Sequence, residues 1–209
     1  MNKHRGLLIT LSGPSGSGKG TIVKALLERN ADTVLSVSAT TRAPRPDEVD
    51  GVHYHFISRE EFCRLAQAGE FLEWAEYGGN LYGTPKGPVE ELLEAGKNVL
   101  LEIEVQGAEK VMKAAPDMVS VFITIPSMEE LERRLRGRQT ESEEKILARL
   151  AIAERELRHA YLYDYVVLND EIEFAVARIE AIMKAESVRY ARMKDTVLEV
   201  LGDVETNRH

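Results

Sequence analysis

Nine residues near the amino end, Gly13-Pro14-Ser15-Gly16-Ser17-Gly18-Lys19-Gly20-Thr21, have the spacing of a phosphate-binding loop: Gly-x4-Gly-Lys with a hydroxyl close behind. Such a loop curls consecutive backbone N–H groups around phosphate oxygens, and bulky side chains would obstruct that approach. Lys19 adds a full positive charge, and the N-terminus of a following helix adds a partial one. The usual loop has Ser or Thr directly after the lysine, where its hydroxyl meets Mg²⁺. Gly20 stands there instead, so Thr21 is the candidate metal-side hydroxyl. Arginines gather elsewhere, at positions 42–45 and 133–138. A chain with a net charge of −8 that binds polyphosphate must concentrate its cations in this way.

These groups need a scaffold, and the sequence supplies one. Residues 7–12 form an apolar run of strand length, and 19–29 carry a helical pattern. GKNVLLEIEV (96–105) predicts a second strand, on which Glu102 and Glu104 would share one face about 7 Å apart. QGAEKVMKAA (106–115) predicts a helix stopped by Pro116, and MVSVFITI (118–125) a third strand closed by Pro126. Ser127 with Glu130 three residues later signals the start of a helix. YVVLND (165–170) predicts another buried strand, followed by one long amphipathic helix through Met193. Strands that alternate with helices imply a parallel sheet covered on both faces.

Two segments depart from the alternation. Residues 38–84, with turn residues, aromatics and period-two patterning, predict a small mixed or antiparallel insertion. Residues 137–157 are charged and helical, which suits a mobile cover over a site.

The insertion carries the more specific signal. Thr40-Thr41-Arg42-x2-Arg45-x8-Tyr54-x-Phe56 follows the guanylate kinase signature throughout, and the sequence resembles that family closely. SVSATTRAPRP, EFLEWAEYGGNLYGTP, LEIEVQGA, RGRQTES and YDYVVLND occur in the family's order. The resemblance spans roughly residues 5–188. It implies an α/β protein with a P-loop three-layer parallel-sheet core (1–37, 85–126, 158–209), a mixed-sheet GMP-binding insertion (38–84) and a helical lid (127–157). It also implies transfer of the γ-phosphoryl group of ATP to GMP, with Mg²⁺ brought in on the ATP.

The residue roles that follow from the resemblance are chemically coherent. Guanine presents N1–H and an exocyclic amine as donors and O6 as acceptor. A carboxylate takes both donors, and adenine offers no match. Glu73 matches the guanine-binding Glu, Thr84 a hydroxyl that reaches O6, and Glu104 a position where many members have a base-contacting Asp. Arg42 and Arg45 fork onto the GMP phosphate, the Tyr54 and Tyr82 hydroxyls complete that cage, and Ser38 belongs to the same site. Lys19 holds the ATP phosphates together with the loop from Gly13 to Thr21. Arg134, Arg138 and Arg149 match arginines that close over ATP and the transferring group, and Asn169 matches a position near the adenine. Arg133 and Arg136 fit a solvated helix face. Gln139 replaces a frequent Gly.

Other features narrow the class. No apolar run approaches the length of a membrane span, and the acidic balance argues against general nucleic-acid binding. The lone Cys63 excludes an internal disulfide framework, is expected to pack, and suggests a reducing, cytoplasmic setting. His53 and His55 alternate with Tyr54 on a strand and lack ligand-type partners. Two alternatives stay open. One is a silent module of the same fold that binds peptides, and the other is a kinase with a different small phosphate acceptor.

Overall fold

The computed structural model describes residues 5–137 and 142–206. Its centre is a five-stranded, wholly parallel sheet in the order β2-β7-β1-β8-β9. These strands are Thr33–Leu35 (β2), Asn98–Glu102 (β7), Leu8–Ser12 (β1), Val119–Thr124 (β8) and Tyr165–Leu168 (β9). Alternation along β1 explains why it must be central. Ile9 and Leu11 face one layer, with α1 (Lys19–Arg29) and α7 (Ile172–Ser187) packed over them through Ile22, Leu26, Val176 and Ile179. Leu8 faces the other, packed against Val89 and Leu93 of α3 (Lys86–Glu94) and Val111 of α4 (Val105–Ala114). A strand buried on both faces reads as a continuous apolar run, as residues 7–12 do.

Beside this core lies a second sheet in the order β4-β3-β6-β5: His55–Phe56, Ala39–Thr40, Asn80–Pro85 and Phe71–Tyr77. It is mixed, with β3 parallel to β4 and antiparallel to β6. The helix α2 (Arg59–Gln67), capped by the Ser58 hydroxyl, seats Phe62 against Phe71 and Leu81. Two more helices, α5 (Met128–Arg136) and α6 (Glu143–Leu157), pair through Leu131, Leu135, Ile146 and Ala153. The Ser127 hydroxyl accepts the Glu130 N–H at 3.2 Å, as the capping pattern predicts.

Several expectations need correction. The second strand ends at Glu102, and Glu104 is instead the N-cap of α4, so the two carboxylates do not share a strand face. Residues 51–53 form a turn and Tyr54 makes an isolated bridge with Asp50, with β4 beginning only at His55; His53 Nδ1 accepts the Val49 N–H at 3.0 Å. Cys63 is exposed, because its neighbour Phe62 takes the buried position of α2. The long terminal helix is two. At Ser187 the hydroxyl turns back to the Lys184 carbonyl at 2.8 Å, competing with the helical ladder. The chain then starts again as α8 (Tyr190–Thr206). Helices α2 and α3 were not foreseen.

Candidate active site

The strand order around β1 locates the first half of the site. β7 and β8 flank β1 on opposite sides, so the chain connections diverge at its C-terminal end and leave a crevice there. The loop from Gly13 to Gly18 fills that position. Its backbone explains its glycines. Gly13 has φ of 144°, and a Cβ there would lie 2.2 Å from the Ile123 carbonyl oxygen of β8. Gly18 is the N-cap of α1 in the left-handed region (φ 90°), with no side chain capping the helix. The first N–H groups of α1 are therefore left for an anion.

Lys19 reaches back over this loop and donates to the carbonyls of Gly13 and, at 3.2 Å, Pro14. Burial pushes its ammonium below the ordinary lysine value, while Glu156, Glu102 and Glu104 oppose that shift. A cavity of about 430 Å³ opens over the loop, lined by Ser15, Gly16, Gly18, Lys19, Gly20, Thr21 and Glu102. The Thr21 hydroxyl and the Glu102 carboxylate thus share one pocket with the phosphate loop. Loss of hydration raises the Glu102 carboxyl above its usual range, with Lys19 pulling the other way.

The loop is braced from behind. Asn169 is 1% exposed, and its Nδ2 donates to the Ser17 carbonyl at 2.6 Å. Arg134 of α5 donates to the Asn169 carbonyl at 3.0 Å and the Ser17 carbonyl at 3.4 Å, and its Nε is held by Glu130. Leu131 and Leu135 of the same helix lie beneath Gly16. Asn169 thus shapes the loop with its amide nitrogen, a structural task that its proposed place beside the adenine did not include. Arg149 is half-buried on α6, and Arg138 lies outside the described residues. Arg133 pairs with Glu130, and Arg136 with Glu132 and Glu143, at the surface.

The second half is built on the small sheet. Tyr54 and Tyr82 approach edge to face, with ring centroids 6.1 Å apart, and the Arg42 guanidinium lies 5.5 Å from the Tyr54 centroid and 5.8 Å from that of Phe56. Both ends of its fork are engaged by Glu48, at 2.9 and 2.8 Å. Glu48 also accepts the Arg45 N–H at 2.8 Å. These contacts hold the Glu48 carboxyl down at about 2 and raise the Arg42 guanidinium. The Arg45 side chain is exposed. Ser38 is half-buried, and its carbonyl accepts the His55 N–H.

Glu73 and Thr84 are register partners on β5 and β6. The Thr84 hydroxyl, on a residue 1% exposed, donates to Glu73 Oε1 at 2.9 Å. Burial raises the Glu73 carboxyl, partly offset by Thr84 and Lys110. Gly107 of α4 faces this carboxylate: a Cβ there would lie 3.3 Å from Oε2. Glu104, three residues earlier, is the N-cap of α4 with extended backbone, and its charge acts on Lys19 of the phosphate loop. The start of α4 therefore joins the carboxylate of the small sheet to the phosphate crevice of the large one.

Comparison with known proteins shows the family. The family model described as guanylate kinase matches residues 5–186. The chain belongs to the guanylate kinase family. It is 53% identical over 207 residues to a guanylate kinase of Clostridium perfringens, covering 97% of this chain and 96% of that one. With a guanylate kinase of Sphingopyxis alaskensis it shares 53% identity over 190 residues, 90% and 86% of the two chains. A crystal structure of guanylate kinase from Anaplasma phagocytophilum superposes with a TM-score of 0.73 at 41% identity, covering 91% of this chain and 90% of that one.

Two functional candidates escaped the sequence reading. Glu48 sits in an acidic turn, PDEVDG, with nothing in its spacing to single it out. Glu156 looked like one more charge on an exposed helix, yet its Oε2 is buried without a hydrogen-bond partner in the protein. Burial raises its carboxyl, and the charge of Lys19 is the largest influence pulling the other way.

Proposed function

We propose that this site transfers the γ-phosphoryl group of ATP to a GMP phosphate oxygen, with the acceptor chosen at the small sheet. The observation that carries this reading is the Glu73–Thr84 pair. Its carboxylate matches the N1–H and amine of guanine, and its hydroxyl can turn from Glu73 to donate to O6. Adenine would leave the buried carboxylate without donors, which is a strong basis for rejection. Glu104 approaches the same base from the start of α4.

Arg42 and Arg45 receive the GMP phosphate, with the Tyr54 and Tyr82 hydroxyls closing the cage. A planar guanidinium donates two parallel bonds to phosphate as readily as to a carboxylate. Glu48 takes the Nη1 and Nη2 ends of Arg42, so the phosphate is received on the Nε side of a guanidinium already fixed in place, with little side-chain entropy left to lose on binding. On the donor side the loop N–H groups and Lys19 hold the ATP phosphates. Transfer spreads charge over three equatorial oxygens, and positioned cations stabilise it without any protein base. Arg134 stands at the edge of this loop, and Arg149 and Arg138 belong to the same cationic cover.

Mg²⁺ fits the donor set, since Thr21 and Glu102 put hard oxygen ligands into the phosphate cavity. When bound, it would neutralise phosphate charge and fix the geometry of the polyphosphate. It needs few protein ligands, so Gly20 in place of the usual hydroxyl is tolerable.

An acceptor panel of GMP, AMP, CMP and UMP with ATP and Mg²⁺ tests the proposal. GMP should be turned over well ahead of the rest. Preference for another acceptor would overturn the base assignment, and no turnover with any of them would favour a silent binding module.

A further inference from the structure

The sheet that carries Glu73 is open on its β5 side, since β5 is its edge strand. Between β5 and β6 the two turn residues, Gly78 and Gly79, both have left-handed backbones (φ 58° and 78°). A two-residue turn makes Tyr77 and Asn80 a hydrogen-bonded pair, and bonded pairs then alternate back along the strands. Glu73 with Thr84 belongs to the bonded set, and Trp74 does not. The Trp74 carbonyl therefore points off the open edge. Lys110 of α4 takes it: its ammonium donates to that carbonyl and lies 5.7 Å from the centre of the Trp74 ring. A hydrogen bond and a cation–π contact thus hold the ammonium of an exposed side chain beside one residue.

That residue adjoins Glu73 in sequence. Three positions before Lys110, on the same face of α4, Gly107 backs onto the Glu73 carboxylate. The helix so brings close backbone at 107 and positive charge at 110. The hydroxyl and N–H of Thr84 face Glu73 from β6, and the charge of Lys110 acts on it from α4. All three favour the anion, against the burial that opposes it. The Thr84 hydroxyl has to leave Glu73 to reach guanine O6, whereas Lys110 keeps its charge near the carboxylate throughout. It is the larger of the two supports that survive binding.

We propose that Lys110 is a positioning residue for acceptor selection: seated on Trp74, it keeps Glu73 an anion while Thr84 turns to the base. This role rests on the assignment of Glu73 to guanine, and it acts through that side chain rather than on the substrate.

Calorimetric titration of the full chain with GMP across a range of pH tests this. Lys110→Met keeps the aliphatic stem and removes the charge. The acid-side fall in GMP affinity should then set in at higher pH, by about half a unit, or about threefold in affinity below the midpoint. Well above the midpoint the two proteins should bind alike, since Glu73 is ionised in both. The second ionisation of the GMP phosphate is common to every variant and cancels in the comparison. Lys110→Arg should restore the original profile, and in a Glu73→Gln background Lys110→Met should change nothing. A loss equal at every pH, an unmoved profile or no rescue by Arg would each overturn the role of Lys110. A Glu73→Gln variant with wild-type selectivity would instead overturn the reading of Glu73 itself, and the role of Lys110 with it.

Discussion

The two halves of the proposed site would hold phosphate by different means. The donor loop is built from backbone: nine consecutive residues, left-handed glycines and an uncapped helix end, with one lysine laid across them. The acceptor cage is built from side chains drawn from several strands and turns, each held by a partner: the Glu48 carboxylate on Arg42 and the Thr84 hydroxyl on Glu73. Backbone N–H groups read charge and shape but not the base. Side chains can read the base, yet they must first be held in place. The proposed assignment therefore puts tolerance at one substrate and selectivity at the other.

That division can be broken from either side. Removing Lys19 should have the largest effect. Lys19→Ala is expected to cut turnover by about a thousandfold or more by withdrawing charge from the transition state. GMP binding by calorimetry should barely change, and a comparable loss there would dissolve the separation of the halves. Next comes Arg42→Lys, which keeps the charge and loses the fork. Here kcat/KM for GMP should fall about a hundredfold, with the KM for ATP unmoved in steady-state assays.

Glu73→Gln should erode the preference for GMP over AMP by about thirtyfold or more. Its pH dependence has a definite sign. The Glu73 carboxyl is raised above 4.5 by burial, and only its charged form can accept both guanine donors. GMP affinity should fall as pH drops through that raised value, and the Gln variant should lack this fall. The raised value also means that the ionised group destabilises the unliganded fold as pH rises through it. Glu73→Gln should then melt slightly higher at neutral pH, and a lower melting temperature would count against burial as the cause.

Glu48→Gln sharpens the comparison further, with about a tenfold loss in kcat/KM for GMP expected from a less ordered Arg42. Glu48 is held at about 2, below its ordinary 4.5. Its stabilising contribution is therefore present above 4.5 and disappears as pH falls toward 2. Acid melting curves of the wild type and the Gln variant should converge across that window. The smallest effect belongs to Gly107→Ala, whose new methyl would crowd Glu73 Oε2. A two- to threefold drop in GMP selectivity is the expected scale for a few tenths of an ångström of displacement. No change at all would mean that the carboxylate has room to spare.

What the sequence revealed follows the same division. A backbone-built site is contiguous, so Gly13 to Thr21 and the helix from Lys19 to Arg29 were readable in order. The central strands were readable because burial on both faces makes them continuously apolar. Glu48 and Glu156 were hidden because their roles depend on approach across space. Nothing in the local pattern distinguishes a carboxylate under Lys19 from one in water. Glu104 was misplaced by two residues of strand length, and Cys63 by one step of a nine-residue helix, where a single position turns the face by about 100°. Asn169 was tied to the ATP site by family pattern, but its grip on the Ser17 carbonyl needed the fold.

The helix carrying Arg134 also serves as bedding for the loop above it. Leu135 is 1% exposed and lies directly under Gly16. Truncating it to Ala would hollow out that bedding and cost about 2–5 kcal/mol. Heat sensitivity and a slackened hold on nucleotide should then appear together in one defect, and added ATP should repair part of both.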